Sequence, residues 1–152
     1  MAARREFLKT HLPAGFALAV HPVAAQTAIA TDTGMLRAGE VQIPTAGGKT
    51  MPAYRAAPAR GRNFALVLVV EEIFGVHEYI KDICRRLAKL GYCAIAPDLF
   101  LRQGDVTRLA TVEEIIGTVV SRVPDAQVMG DLDATLRWAE QHGRIDRNKV
   151  AV

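Results

Sequence analysis

With 152 residues, 50% of them hydrophobic and 23% charged, the chain has the size and composition of one packed globular domain, which excludes wholesale disorder. Its formal net charge is +3, but no basic stripe interleaved with aromatic residues follows the first segment. The electrostatic footprint of a nucleic-acid-binding protein is therefore absent.

The first 25 residues have three parts: paired Arg4-Arg5 ahead of Phe7-Leu8-Lys9, a short apolar run from Leu12 to Val20, and the small residues Val23-Ala24-Ala25. This order resembles a twin-arginine export signal, with a cationic head that stays on the cytoplasmic side and an apolar middle too short for a stable membrane span. Cleavage is expected after Ala25, which makes the export machinery a partner and the periplasm or exterior the destination. A retained anchor or amphipathic helix is the alternative. Removing residues 1–25 lowers Lys and Arg from 19 to 16 and Asp and Glu from 16 to 15, so the net charge falls to +1.

Residues Gln26–Gly34 are small and polar without a period, and they read as a flexible tether. The expected domain division places the tether at 26–38 and the folded part at 39–152. Glu40–Ile43 and Lys49–Ala56 form a predicted hairpin turned by Gly47-Gly48, and Pro52 suits an edge strand. Phe64–Val70 is apolar at every position, as a parallel strand buried on both faces requires. Ile80, Ile83, Cys84, Leu87 and Leu90 then recur at helical spacing, a one-sided helix from His77 to Leu90 ended by Gly91. Cys93–Ala96 is a second buried strand, completing a βαβ unit. Thr111 to Glu114 matches a capping box for a helix that Pro124 interrupts, and Asp125 is read as the cap of a further helix carrying Val128, Leu132, Leu136 and Ala139, ended by Gly143. Val150–Val152, fed by the loop Arg144–Lys149, reads as the next central strand. These elements predict a three-layer α/β architecture with a mostly parallel sheet.

In open α/β sheets ligands bind beyond the carboxyl ends of the central strands. Those positions are Glu71-Glu72-Ile73-Phe74-Gly75 and Pro97-Asp98-Leu99-Phe100-Leu101-Arg102-Gln103. Neither is a phosphate cradle, since no Gly-x-Gly-x-x-Gly follows a strand and no Gly-Lys-Ser/Thr occurs, so nucleotide binding is disfavoured and no cofactor is expected. His77 reads as helix-start packing, His142 as a partner of the helix C-terminus, Asp98 as a turn cap, Asp131 with Asp133 as a solvated helix face, and Trp138 as core. Two histidines outside the signal are too few and too scattered for a metal site. Packing is favoured over a disulfide for Cys84 and Cys93.

Through Val69-Val70-Glu71-Glu72-Ile73-Phe74-Gly75, Gly91-Tyr92 and Pro97 to Gln103, the chain from about Gly39 to Val152 resembles the dienelactone hydrolase family. The resemblance implies an α/β-hydrolase fold and a Cys-His-Asp triad that opens cyclic enol-lactones and related esters. It also implies that Glu72 contacts the resting cysteine and exchanges a proton with it, that the Ile73 N–H is one oxyanion donor, and that Arg102 binds a substrate carboxylate. Glu71 stands where the family commonly has glutamine, adding a negative charge near the expected anion site, and Phe100 replaces a frequent tyrosine. The nucleophile elbow, triad acid and histidine would follow the Ile145–Val152 segment. The sequence is accordingly expected to be truncated before the elbow, inactive alone and marginal in independent folding. A serine esterase or lipase of the same superfamily, or a non-catalytic α/β binding domain, are the rival readings. No feature sets the oligomeric state.

Overall fold

A strand apolar at every position is expected to be covered on both faces; in the computed structural model, which describes residues 30–152, Leu66 and Leu68 of Phe64–Leu68 are buried on one face while Ala65 and Val67 on the other are half-buried. The expected signal segment and the start of the tether lie outside the described residues. Residues 31–152 form one unit. Its elements in chain order are β1 (Leu36–Pro44), β2 (Thr50–Pro58), β3 (Phe64–Leu68), α1 (Glu78–Lys89), β4 (Cys93–Pro97), α2 (Val112–Thr118), α3 (Asp125–His142) and β5 (Ile145–Ala151), with short 3₁₀ turns at Ala46–Gly48, Val106–Arg108 and Val120–Arg122.

The five strands lie in the order β1-β2-β4-β3-β5. The pairs β3–β4 and β3–β5 are parallel, whereas β1–β2 and β2–β4 are antiparallel. The sheet is thus open and mixed rather than mostly parallel, because the hairpin docks on β4 through β2. Alternation along the strands gives each face its own helix. Ala94 and Ala96 of β4, with Tyr54 and Ala56 of β2, meet Ile80, Cys84 and Ala88 of α1. Cys93 and Ile95, with Met51, Ala53 and Leu66, meet Ala134 and Ala139 of α3, and Leu132, Leu136 and Trp138 pack against this layer. Three layers result.

Several boundaries differ from the sequence expectation. Pro52 lies in β2, an interior strand, not at the edge; its carbonyl accepts the Asp98 N–H at 2.9 Å, and the β2–β4 ladder ends next to it at Ala53–Pro97. The missing proline N–H therefore falls at the terminal pair of the ladder, where the Asp98 amide makes the one remaining bond. The stretch expected as a tether is held from residue 31: Thr31 N–H donates to Asp82 at 2.5 Å, Lys89 reaches Asp32 and the Gly34 carbonyl, and Leu36–Ala38 already belong to β1. Helix α3 has Pro124, not Asp125, at its N-cap position, so Asp125 acts as a first-turn acid facing the helix dipole. β5 starts at Ile145, inside the expected loop, and a register shift between Phe64 and Leu66 of its partner absorbs residues 146–149 as an irregularity.

Local chemistry explains the stops. Gly91, at φ 98°, closes α1 with the paired bonds Tyr92 N–H to Leu87 O and Gly91 N–H to Ala88 O, both of a Schellman motif. Thr111 accepts the Glu114 N–H at 3.2 Å and starts α2, which loosens into a 3₁₀ turn at Val120 before Pro124 forces Val123 into an extended conformation. Cys84 and Cys93 are buried free thiols on opposite faces of the sheet.

Ile95, fully buried in the central strand, should lose about 2–5 kcal/mol on truncation to alanine. Met129→Ala, on the exposed side of α3, should stay within about 0.5 kcal/mol. Urea unfolding of both variants checks the contrast.

Candidate active site

The last backbone rung between β3 and β4 runs from Val69 N–H to Ile95 O at 2.8 Å. Past it the two strands turn away from one another, and the residues singled out by the sequence stand on these two turns. In the first, Gly75 N–H closes onto Glu72 O at 3.1 Å, with Ile73 and Phe74 at the corner. Gly75 has φ 77°, and a Cβ there would stand 2.9 Å from Val106 Cγ2, so only glycine fits. Glu72 projects into solvent. The Ile73 side chain packs in the small cluster of Val106, Ile115 and Val119, while no hydrogen bond from its N–H is found among the described residues. That amide is available as a donor.

The second turn is held from all sides. Asp98 accepts the N–H groups of Phe100 at 3.3 Å and Leu101 at 3.0 Å, as a turn cap does. Gln127 of α3 donates to the Leu99 carbonyl at 3.3 Å and pairs amide to amide with Gln103. Arg102 forms an ion pair with Asp131, one helical turn beyond Gln127. This corrects the expectation for Asp131, which is 3% exposed and faces the core, whereas Asp133 is exposed. Asp131 follows Gln127 and precedes Thr135 and Ala139 at four-residue spacing, a stripe that the sequence does show. Arg102 thus keeps its place on the strand-end side but meets a carboxylate of the protein itself.

Glu71 also behaves unlike the expected surface charge. It is 6% exposed and turns inward, where one carboxyl oxygen accepts the Leu99 N–H at 2.8 Å and the other has no hydrogen-bond partner. Burial, and then the neighbouring Asp98 charge, push its pKa up to about 8. At neutral pH the side chain is chiefly a neutral acid, so it does not repel an anion as the sequence suggests. Asp98 is likewise raised, by burial first.

The remaining candidates take packing roles. His77 occupies the N-cap position of α1 without a side-chain capping bond and stacks on Tyr79, and His142 contacts the Trp138 carbonyl through Nδ1 at 3.0 Å in the last turn of α3. Burial pushes the Cys84 thiol up to about 12 and raises Cys93 as well, so neither is an activated thiolate. Ser121 gives its hydroxyl to the Gly117 carbonyl. Among the described residues no group of three or more His, Cys, Asp or Glu could hold a metal, and no helix is long and apolar enough to cross a membrane. The concavity lined by Gly61, Arg62, Asn63, Arg144 and Ile145 lies at the opposite ends of β3 and β5.

The raised Glu71 pKa has a thermodynamic sign. The folded state keeps a proton that the unfolded chain releases above its ordinary value of 4.5, so this stabilising contribution is complete at acid pH and lost as pH rises through about 8. Glu71→Gln, which cannot ionise, should match the parent Tm near pH 4.5 and exceed it by about 5 °C or more above pH 8. A gap that does not grow between these limits in thermal melts contradicts the assignment.

Residues 51–152 match the profile of the dienelactone hydrolase family. A Methylorubrum extorquens protein, a carboxymethylenebutenolidase by assignment, is 58% identical over 150 residues, which cover 99% of this chain and 51% of its own. A Yersinia pestis protein with the same assignment is 49% identical over 118 residues, 77% of this chain and 43% of its own. A solved structure from Klebsiella pneumoniae, a dienelactone hydrolase by assignment, matches with a TM-score of 0.72 at 48% identity over 76% of this chain and 48% of that one. The chain spans about half the length of the curated relatives it matches. With an α/β sheet whose strand ends carry the acidic turn and the arginine turn, and with this profile across its length from Met51 onward, the chain belongs to the dienelactone hydrolase family.

Proposed function

We propose that the chain is the part of an ester- and lactone-hydrolysing enzyme that receives the acyl group and controls the attacking atom. One observation carries this reading: the turn after β3 presents an exposed carboxylate, Glu72, next to an unengaged amide N–H, Ile73, at the carboxyl end of a central parallel strand. A carboxylate there can take a proton from a thiol as substrate arrives, which raises the thiolate fraction only when it is needed. The thiolate sulfur bonds to the acyl carbon, and the carbonyl oxygen gains negative charge and accepts a hydrogen bond donated by the Ile73 N–H. Collapse breaks the bond to the ring or alcohol oxygen, and water then releases the acyl group as a carboxylate.

Neither Cys84 nor Cys93 fits the role of that sulfur, because both are buried packing residues with raised pKa. Arg102 is the cation for a substrate carboxylate, with Asp131 behind it holding its orientation. Enol-lactones that carry a carboxylate, of the kind a carboxymethylenebutenolidase takes, combine both requirements.

Hydrolysis of a carboxylate-bearing enol-lactone and of a neutral aryl ester by the protein in its full coding context tests this. Glu72→Ala should lower kcat/KM on both by about 10²–10⁴-fold. Arg102→Ala should raise KM about 10–100-fold for the anionic substrate alone. Unchanged turnover in Glu72→Ala removes the proton-exchange role, and resistance to thiol alkylation with sensitivity to serine reagents moves the enzyme to the serine esterases.

The segment Arg4 to Ala25 supports export through the twin-arginine route to the periplasm. Replacing Arg4 and Arg5 together by lysine should retain the protein in the cytoplasm with its signal uncleaved. Normal periplasmic recovery of that variant in cell fractionation removes the signal reading.

A further inference from the structure

Where two parallel strands end level, the first amides beyond the last rung lose their acceptors. Here Val69 N–H to Ile95 O is that rung, and continuing the register from Leu68–Ile95 sets residue 71 against residue 98. Leu99 N–H is the next donor on the β4 side, and its acceptor is the Glu71 side chain at 2.8 Å. The side chain therefore continues the ladder by one step after the backbones have parted. It is 6% exposed, and its second carboxyl oxygen is buried without a partner. A carboxyl group is an expensive way to meet one amide in such a place.

We propose that Glu71 is a positioning residue: its bond to Leu99 ties the turn carrying Glu72 and Ile73 to the turn carrying Arg102, and so sets the distance between the proton-exchanging group and the anion-binding group. The connection on either side is short. Glu71 is bonded directly to Glu72, and Leu99 lies three residues before Arg102 in a turn already clamped by Asp98 and Gln127. A shift at Leu99 is consequently carried to Arg102 as a unit.

The tie also responds to protons. The charged group that acts on Glu71 is Asp98, from the β4 side, and Asp98 itself feels Asp105 and Glu40, which are paired with Arg108 and Lys81. The cation nearest in sequence, Arg102, is engaged by Asp131. While Glu71 is protonated, its oxygen accepts the Leu99 N–H without repelling Asp98. Once it ionises, two adjacent carboxylates oppose one another across the tie, and the Arg102 turn is pushed outward.

This inference rests on the hydrolase reading only for its effect on turnover, so amide exchange, which needs no substrate, decides it. Glu71→Ala should speed exchange at Leu99 about tenfold while Leu66 and Ile95 in the core keep parent rates, and Glu71→Gln, whose amide oxygen still accepts, should keep Leu99 protected. In the parent the Leu99 and Leu101 amide resonances should move together through a transition near pH 8, and this transition should be missing in Glu71→Gln. Parent exchange at Leu99 in a folded Glu71→Ala overturns the tie, and a transition that survives Glu71→Gln but vanishes in Asp98→Asn transfers the response to Asp98 and overturns the proton dependence. If Glu71→Ala fails to fold, the Glu71→Gln titration decides alone. In the full-length enzyme Glu71→Ala should raise KM for a carboxylate-bearing ester about tenfold more than it raises KM for a neutral ester. Absence of turnover by every variant, the parent included, removes the hydrolase reading and leaves the exchange result standing.

Discussion

The parallel pairing of β3 with β4, enclosed by a helix on each face, is the constraint on which the rest of the structure depends. Small residues make the enclosure tight. Ala94 and Ala96 on one face, and Ala53 and Ala57 on the other, let α1 and α3 approach the sheet closely, and Cys84, Ala88, Ala134 and Ala139 do the same from the helices. Because β3 and β4 run in the same direction and stop level, both of their outgoing turns emerge at one lip of the sheet. A carboxylate and an arginine far apart in the chain are brought to that lip without any contact between them being required.

Electrostatics at the lip is dominated by carboxyl groups, and the protein manages them in three ways. Glu72 stays in water, Glu71 is neutralised by burial, and Asp131 meets Arg102. An arginine held by an internal carboxylate is fixed in orientation, and part of its charge is already balanced. Neighbouring carboxyls with different surroundings are the usual arrangement where proton transfer is to be controlled.

Much of this was legible before any coordinates. β3, α1 and β4 are the strongest patterns in the chain: an uninterrupted apolar run, a helical stripe ended by glycine, and a second apolar run. The segments Glu71 to Gly75 and Pro97 to Gln103 follow from them, since a position after a strand is known as soon as the strand is, whereas the roles expected of Glu72, Ile73 and Arg102 come from the family resemblance. What stayed hidden depends on partners distant in sequence. Pro52 looks like an edge residue until the end of the β2–β4 ladder is known, and only the Asp98 amide shows where that end falls. Adjacent acids such as Glu71 and Glu72 look alike in a string, and their opposite orientations arise from the amide that Leu99 leaves without a backbone acceptor. Asp131 lies on a helical stripe whose other members are glutamine, threonine and alanine, and a charge there is explained only when Arg102 arrives from another turn.

The bond from Thr31 N–H to the buried Asp82 carboxylate marks where the folded unit takes hold. Arg85 and Arg86 also hold Asp82, but the amide belongs to the first residue of the folded unit. Removing Thr31 deletes a donor that an internal anion relies on, so a single backbone nitrogen staples the start of this unit to the middle of α1.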